Sequence, residues 1–531
     1  MTPSSWLPER SFTLPSIVNY CLLAMLVLVL GTRLSFLGAG ALTFPDEYRY
    51  YESIKAIECH GSLTNFSASI SQVQGRPGDA FWRLVPAGMQ VLLAKATGLD
   101  PHEPASLLIP VGFNYLILLG SLLLFYRIAL LLLRHPTAAL LSTVVYACLV
   151  NTNIYLRHVL PYDAALFTFL ANIYWVLRLK QRPERRTNRT FFLVGALAGF
   201  TFAIYPGYNP AVVVMGLLLL EKRALLALDW KQLFRTGALY SAGVAAVFGF
   251  FQLLSVIGDK SYLDDCLLLS RSITQGDFEE GFIFLFKYLF TAEQTLGYLL
   301  TGLGIVALPV ALYRLLRGRL NAARLTALLS DNLLLITMVL AFLHYAVMVY
   351  YQERMVFYGR ILHLYLPFFV LLIFKVLYPA ATRKSWQFVP VVLVAAVAAY
   401  SFAVFTLQYH RIVYPLTFLN QHAHDYPTAK VTMKEQTATA NTGDYYRVLD
   451  GLMAQPGGAG QPQVMLVNMG FLYPIRDEGW CNEVKIPPAY KLISTGPHFI
   501  TLPAYYFEGW RITERDIITR CQYQVQVYEA R

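Results

Sequence analysis

The residues with the clearest capacity for chemistry follow directly after the first long apolar run. The stretch "TFPDEYRYYESIKAI" (43–57) places Asp46, Glu47 and three further charged residues within ten positions. Pro45 suits the first turn of a helix, and acidic residues there meet the positive end of the helix dipole. A carboxylate at a helix start also stays ionised and can accept a proton. The stretch is therefore open to two interpretations, a capped helix start and a catalytic general base.

Helix geometry separates the two acidic residues of this stretch. On a helix, one face is shared by Asp46, Tyr50, Ile54 and Ile57. Glu47 then points about 100° away from that face. We therefore expect Asp46 to lie above the apolar side that faces the protein, and Glu47 to support it.

A second charged cluster lies in "IYLRHVLPYDAALF" (154–167), where Arg157, His158 and Asp163 fall between two apolar runs. Ionisable groups held at the edge of a membrane are costly, and they usually have a partner or a function. The alternative is an arginine that snorkels to the interface and an aspartate that caps a helix. The position of Asp163, at a helix start on the same side as Asp46, favours a functional role.

A third cluster lies in "YYQERMVFYGRILHLYLP" (350–367), with Arg354 and Arg360 in a short link between apolar runs. Arginine is disfavoured in short external links, and the guanidinium fork matches phosphate oxygens. The two arginines therefore predict a site for an anionic lipid headgroup, the alternative being pairing with Glu353 or plain solvation. No function is assigned to His363, since a lone membrane histidine is more often a satisfied polar group than a ligand.

The rest of the chain indicates what must position these residues. It has 531 residues, of which 56% are hydrophobic and 14% charged, whereas a soluble domain carries about a quarter charged residues. Apolar runs of roughly 18 or more residues predict transmembrane helices. We expect about eleven spans, at 15–37, 105–133, 138–156, 164–180, 191–204, 207–220, 236–257, 292–313, 330–350, 361–378 and 387–408. The predicted fold class is a polytopic α-helical membrane protein.

Basic residues, which give the chain a net charge of +11, are concentrated between the apolar runs. The segments 178–189, 221–223, 314–324 and 382–384 all fall on one side, which we take as cytoplasmic. This pattern is an orientation signal and does not indicate nucleic-acid binding, for which no motif is present. The N-terminus is then cytoplasmic, and the three charged clusters share the external side.

Two external segments are too long for simple connections. The loop 38–104 contains "FWRLVPAGMQVLLAKATG", which begins near Trp82, is too short to span and is expected to lie along the interface. The tail 409–531 is predicted to be a small soluble α/β domain after a membrane domain at 1–408, because "QVMLVNMG" and "QYQVQVYEA" are typical of strands. The sequence leaves open whether Cys481 and Cys521 of the tail form a disulfide.

The order of these motifs resembles the C-type glycosyltransferase superfamily, whose members are multi-spanning enzymes that use lipid-linked sugars. "PDE" after an apolar first helix is similar to the start of that superfamily's first external loop. "RHVLPYDAALFTFLANIYW" and "GRILHLYLPFF" resemble two segments of the branch of protein O-mannosyltransferases and lipid A aminoarabinose transferases, its second acidic loop and its "RYLLPLLP" segment. "GALAGFTFAIYPGYNPAVVVMGLLLL" resembles that branch's fifth and sixth helices. The similarity covers most of residues 15–378.

The resemblance implies a role for several residues. Asp46 matches the catalytic aspartate of the first loop, with Glu47 beside it, and Asp163 matches the supporting acidic residue of the second loop. Arg360 matches the basic residue that meets the donor phosphate. The chain departs from the family at "AIYPG", where Ile204 replaces a lysine or another polar residue. Donor contact from this loop is then either lost or made by Tyr205 and Tyr208.

The activity implied by the resemblance is transfer of a sugar from a polyprenyl-phosphate donor to an acceptor hydroxyl on the external face, with inversion. Asp46 would take the hydroxyl proton. The leaving phosphate would be held by Arg360, with Arg354, Arg157 and His158 as further candidates.

Several features stay open at the level of sequence. Trp82, Tyr205 and Tyr208 are candidates for stacking on sugar, although membrane-interface anchoring is the more common role for any one such residue. A divalent cation, Mg or Mn, is a candidate for bridging an acid to the phosphate, but no metal-ligand spacing of Cys and His occurs. The sugar is undefined, and the acceptor is a lipid, a glycan or a protein.

Three other functions compete with this interpretation. One is a lipid-linked glycan polymerase or ligase. Another is a transporter or flippase, with a path at the helix break "YPGYNP". The third is a binding scaffold that uses the tail to hold a partner. The gathering of acidic residues on one external side, away from the bilayer midplane, favours the enzyme. The expected location is a bacterial inner membrane, with the tail in the periplasm.

Overall fold

A computed structural model describes most of the membrane helices and four strands of the tail. The described residues are 14–35, 37, 50, 54, 57, 77–99, 101, 104–155, 159–219, 229–257, 261–272, 284–316, 322–352, 358–381, 388–410, 430–435, 463–468, 490–499 and 523–530. Five residues singled out above lie outside them: Asp46, Glu47, Arg157, His158 and Arg354. The same holds for Cys481 and Cys521.

The first eight α-helices follow in chain order. They are α1 (Leu14–Leu34), α2 (Pro77–Thr97), α3 (Leu108–Leu133), α4 (Pro136–Cys148), α5 (Val150–Asn153), α6 (Tyr162–Gln181), α7 (Asn188–Ile204) and α8 (Asn209–Leu219). Seven more precede the strands. They are α9 (Trp230–Ile257), α10 (Tyr262–Ser272), α11 (Phe284–Thr291), α12 (Gln294–Leu316), α13 (Ala322–Gln352), α14 (Tyr358–Ala381) and α15 (Phe388–His410).

Each apolar run predicted to span the membrane contains a helix. Among the described residues, seven helices are long and apolar enough to cross a membrane: α1, α3, α9, α12, α13, α14 and α15. The helices α4, α7 and α8 are apolar but shorter. The twenty-residue α6 is more polar, with one acidic residue in its first turn and two basic residues in its last. The chain is thus a helical integral membrane protein.

The helix α4 forms the centre of the bundle. Nearly all its side chains are buried, and it is contacted by α1, α3, α14 and α15. Pro136 opens the helix at its first position, where a missing N–H costs nothing. The helix ends at Cys148 because Leu149 is extended, with φ −61° and ψ 139°, and the chain restarts as the single turn α5. This break brings polar side chains into the interior.

The predicted helix after "FPDE" is described at three positions, Tyr50, Ile54 and Ile57, and all three are helical. Tyr50 and Ile54 are fully buried, as the proposed apolar face requires. The Tyr50 hydroxyl donates to Gln90 Oε1 of α2 at 2.6 Å, and Gln90 Nε2 donates to the Ser106 hydroxyl at 2.7 Å. The Tyr50 side chain is therefore linked to α2 and, through Gln90, to the segment before α3.

The helices α7 and α9 cross in backbone contact through two glycines. A Cβ atom at Gly195 would lie 2.0 Å from the Tyr240 carbonyl oxygen, and one at Gly243 would lie 2.0 Å from the Phe192 carbonyl oxygen. No side chain fits at either position, since real Cβ atoms do not approach so closely. Small residues at membrane helix crossings allow this close approach.

The described part of the tail forms a four-stranded sheet in the order β1-β2-β4-β3. The strands are β1 (Lys430–Glu435), β2 (Gln463–Asn468), β3 (Tyr490–Phe499) and β4 (Tyr523–Ala530). β1 pairs with β2 in parallel, and β4 is antiparallel to both β2 and β3. The two strands predicted from alternation and apolar character are confirmed as β2 and β4.

Candidate functional site

Two of the sequence-predicted residues, Asp163 and Arg360, lie at the same end of the bundle. Asp163 is in the first turn of α6 and Arg360 is in the first turn of α14. Both side chains are buried, with 5% of each residue exposed. The guanidinium carbon of Arg360 lies 5.2 Å from the ring centroid of Tyr162, the residue before Asp163. This is a cation–π contact, and it places the arginine beside the start of α6.

Asp163 contacts a residue to which the sequence assigns no function. His363 Nε2 lies 2.9 Å from Asp163 Oδ1, and the histidine is 1% exposed. His363 is one turn after Arg360 on α14, so its position follows from the helix that carries the arginine.

Asn151, in the single turn α5, orients this histidine. The Asn151 Nδ2 group donates to the Gly359 carbonyl at 2.8 Å and to the Tyr288 hydroxyl at 2.9 Å. A carbonyl oxygen can only accept, so the Gly359 contact fixes which end of the amide is nitrogen. The opposite atom, Asn151 Oδ1, lies 2.8 Å from His363 Nδ1. Because Oδ1 can only accept, Nδ1 carries the hydrogen.

This orientation determines the chemistry between His363 and Asp163. With a hydrogen on Nδ1, a neutral imidazole would turn a lone pair at Nε2 toward a carboxylate oxygen, and two acceptors repel. The contact has the distance of an ion pair without the alignment of a hydrogen bond. Asp163 and His363 are thus a close pair of buried ionisable side chains.

Glu293, between α11 and α12, supports the same turn from the other side. Its carboxylate accepts the backbone N–H groups of Val150 at 2.7 Å and of Asn151 at 2.8 Å. Complete burial raises the pKa of Glu293 from its usual 4.5 to about 7, and the two backbone hydrogen bonds partly oppose this rise. The carboxylate thus positions Asn151, which in turn positions His363.

The helix break predicted at "YPGYNP" is confirmed. α7 ends at Ile204, residues Pro206–Tyr208 form a 3₁₀ turn, and α8 begins at Asn209. The Tyr205 ring folds over Gly207, where an added Cβ would lie 2.6 Å from a ring carbon. Tyr205 also packs edge-on against Tyr162, with ring centroids 4.8 Å apart. The turn therefore reaches the site through an aromatic contact.

The two tyrosines proposed to stack on sugar differ in their surroundings. Tyr205 is partly buried, and Tyr208 is fully buried with its ring centroid 5.2 Å from that of Tyr205. Within the described part of the chain, the Tyr208 hydroxyl has no hydrogen-bond partner. Trp82 lies in α2, and its side chain is outside what the structure describes.

Sequence reasoning missed His363, Asn151 and Glu293. Each is a polar residue in or beside an apolar run, which is the one available signal. Among the described residues no group of three His, Cys, Asp or Glu side chains is placed to hold a metal. Asp163 and His363 are two side chains of the required kind, and binding of a divalent cation stays a prediction.

Comparison with known proteins assigns the chain to no family. No protein-family model matches the chain, and no curated protein sequence matches it either.

Proposed function

We propose that the chain is a membrane glycosyltransferase that moves a sugar from a polyprenyl-phosphate donor to an acceptor hydroxyl, with inversion. The observation that carries the proposal is the meeting of Asp163 and Arg360 at one end of the bundle, through Tyr162 and His363. An acidic group and a phosphate-binding cation are the two elements that this reaction needs. The resemblance to the C-type superfamily, in motif order, supports the same reaction.

In the proposed reaction, the acceptor oxygen forms a bond to the anomeric carbon as the bond from that carbon to the phosphate oxygen breaks. Asp46 takes the hydroxyl proton, with Glu47 beside it. Asp163, held by His363, keeps this end of the site polar. The departing phosphate carries the electron pair, and Arg360 stabilises it. A phosphate leaving group needs no proton, unlike the sugar oxygen in an inverting glycosidase.

The proposed topology follows the predicted spans and the basic segments between them. The eleven helices covering the predicted spans cross a bacterial inner membrane, and the site end faces the periplasm. The tail 409–531 is a separate periplasmic α/β domain. Arg157, His158 and Arg354, which lie outside the described residues, are further candidates for phosphate contact. The acceptor is a lipid, a glycan or a protein of the cell envelope.

The decisive experiment uses the full-length protein in lipid nanodiscs. It is incubated with a panel of polyprenyl-phosphate sugars and cell-envelope acceptors, and products are identified by mass spectrometry. We expect free polyprenyl phosphate and a glycosylated acceptor, and we expect Asp163→Asn to release far less. A wild-type protein that leaves every donor intact, or moves donors across the bilayer without cleaving them, would remove the proposal in favour of a transporter.

A further inference from the structure

Arg33, near the end of α1, is a buried cation that the proposed reaction does not use. Most of α1 is exposed to the surroundings of the bundle, with 17% of its apolar window buried, yet Arg33 is 0% exposed. A charged side chain inside a membrane protein is costly and marks a functional site unless a partner explains it.

The contacts of Arg33 leave most of its charge uncompensated. Its Nη2 group donates to the Ala147 carbonyl, and its guanidinium carbon lies 5.8 Å from the Phe402 ring centroid. The Nε and Nη1 atoms are buried and have no hydrogen-bond acceptor among the described residues. The described carboxylate that acts on Arg33 is Asp163, through a longer-range electrostatic interaction.

Capping of α4 does not account for this arginine. The Ala147 carbonyl also accepts from Asn153 Nδ2 at 3.1 Å, and the Tyr146 carbonyl accepts from Thr152 Oγ1 at 2.8 Å. Side chains of the following turn α5 therefore satisfy the end of α4 without Arg33. A second hydrogen bond to a carbonyl that already accepts one would not offset the free energy needed to remove the guanidinium from water.

Further donors without partners surround the same place. The Tyr208 hydroxyl is buried and, within the described residues, has no hydrogen-bond partner. The buried Tyr146 hydroxyl lies close to Thr152 but makes no hydrogen bond of good geometry within the same residues. The charge of Asp163 acts on Arg33, on Tyr146 and on Tyr208. A cluster of unsatisfied donors lacks an acceptor, and an anion is the ligand that satisfies several donors at once.

We infer that Arg33, together with the Tyr146 and Tyr208 hydroxyls, binds a phosphate group. The N–H groups of Nε and Nη1 lie on the two sides of Nη2, and each is left to donate to an oxygen of the anion. The inference deepens the proposed function and rests on it for the source of the phosphate, a polyprenyl phosphate.

A shallow cleft lies near the Phe402 side of Arg33. It is lined by Val150, Glu293, Ser401 and Phe405, among others. The Phe405 ring centroid lies 6.4 Å from that of Phe402, the ring that contacts Arg33.

The test measures binding without any transfer reaction. The full-length protein in nanodiscs is titrated with undecaprenyl phosphate, with undecaprenol, which lacks the phosphate, and with inorganic phosphate. Affinities of the wild type are compared with those of Arg33→Gln, Arg33→Lys and Tyr146→Phe. Arg178→Gln, at the opposite end of α6, is the matched control.

We expect Arg33→Gln to weaken binding of the phosphate probe by about tenfold or more, with a smaller loss in Tyr146→Phe and partial recovery in Arg33→Lys. Arg33-dependent binding of undecaprenyl phosphate identifies a lipid source, and Arg33-dependent binding of inorganic phosphate identifies a free one. Equal affinity in wild type, Arg33→Lys and Tyr146→Phe overturns the site, even if Arg33→Gln fails to fold.

The result for phosphate binding at Arg33 can be told apart from the result for sugar transfer. Arg33-dependent phosphate binding by a protein that transfers no sugar keeps the site and removes the glycosyltransferase. Sugar transfer by a protein whose phosphate affinity does not depend on Arg33 or Tyr146 keeps the enzyme and removes the site.

Discussion

His363 Nε2 lies 2.9 Å from Asp163 Oδ1 while His363 Nδ1 faces Asn151 Oδ1 at 2.8 Å. The two contacts hold the imidazole between the first turn of α6 and the single turn α5. His363 therefore acts through Asp163 and is a positioning residue.

Replacing His363 with Asn should reduce sugar transfer by about tenfold or more, because Asp163 then loses the side chain that positions it. The readout specific to this role is a fall in kcat while the donor KM stays unchanged. The matched control is His344→Asn on α13, since His344 is an exposed histidine of a membrane helix. An unchanged kcat in a folded His363→Asn protein would contradict the role.

Replacing Asn151 with Ala should destabilise the protein by about 1–3 kcal/mol for each buried group left without a partner. The groups affected are the Gly359 carbonyl, the Tyr288 hydroxyl and His363 Nδ1. Thermal unfolding in nanodiscs measures the change. Tyr288→Phe, which takes away one Asn151 contact, should cost less, and a larger loss in that variant would show that Asn151 is not the centre of the network.

The stability of the wild type should fall as pH rises from about 4.5 to about 7, because the folded pKa of Glu293 is raised by burial to about 7 from its usual 4.5. The sign follows from linkage: a group that binds its proton more tightly in the folded state contributes stability below its unfolded pKa and loses it through its folded pKa. Melting temperatures measured across this range should change less in Glu293→Gln. A variant with the same pH dependence would assign that dependence to another group.

Replacing Arg360 with Ala should raise the donor KM by about tenfold or more, since a charge-assisted contact to phosphate is lost. Arg360→Lys should recover only part of it, because an ammonium lacks the planar fork. Steady-state kinetics with varied donor provide the measurement, and Arg178→Ala is the control. Unchanged donor KM in a folded Arg360→Ala protein removes this residue from the site.

Replacing Asp46 with Asn should abolish transfer while expression and folding stay intact, because the proposed base is lost without a change of shape. Glu47→Gln, the neighbouring substitution, should leave substantial activity. Product formation measured by mass spectrometry distinguishes the two. Wild-type turnover in Asp46→Asn would assign the base to another residue.

The helices were predictable because each is encoded by its own run of apolar residues. Length and hydropathy predict α3 or α15 without reference to the rest of the chain, and two prolines with a glycine predict the break between α7 and α8. The burial of Tyr50 and Ile54 follows in the same way from helical spacing. Local sequence patterns therefore predicted the membrane helices.

The contacts of the site depend on residues that are far apart in the chain. His363 and Asn151 are separated by 212 positions, and Glu293 is 143 positions from Val150. No periodicity links such residues, so the sequence showed His363 only as a lone polar group in a membrane span. Asp163 and Arg360 were found because each also stands beside a predicted membrane boundary, where charge is conspicuous.

The glycine crossing of α7 and α9 has a mechanical consequence for the aromatic turn at Tyr205. Gly195 and Gly243 each face a carbonyl of the opposite helix with no space for a side chain, so we expect α7 and α9 to move as one unit. A displacement of the turn that carries Tyr205 and Tyr208 would then move α8 relative to α7 and α9. We expect a disulfide engineered between α8 and α9 to prevent that displacement.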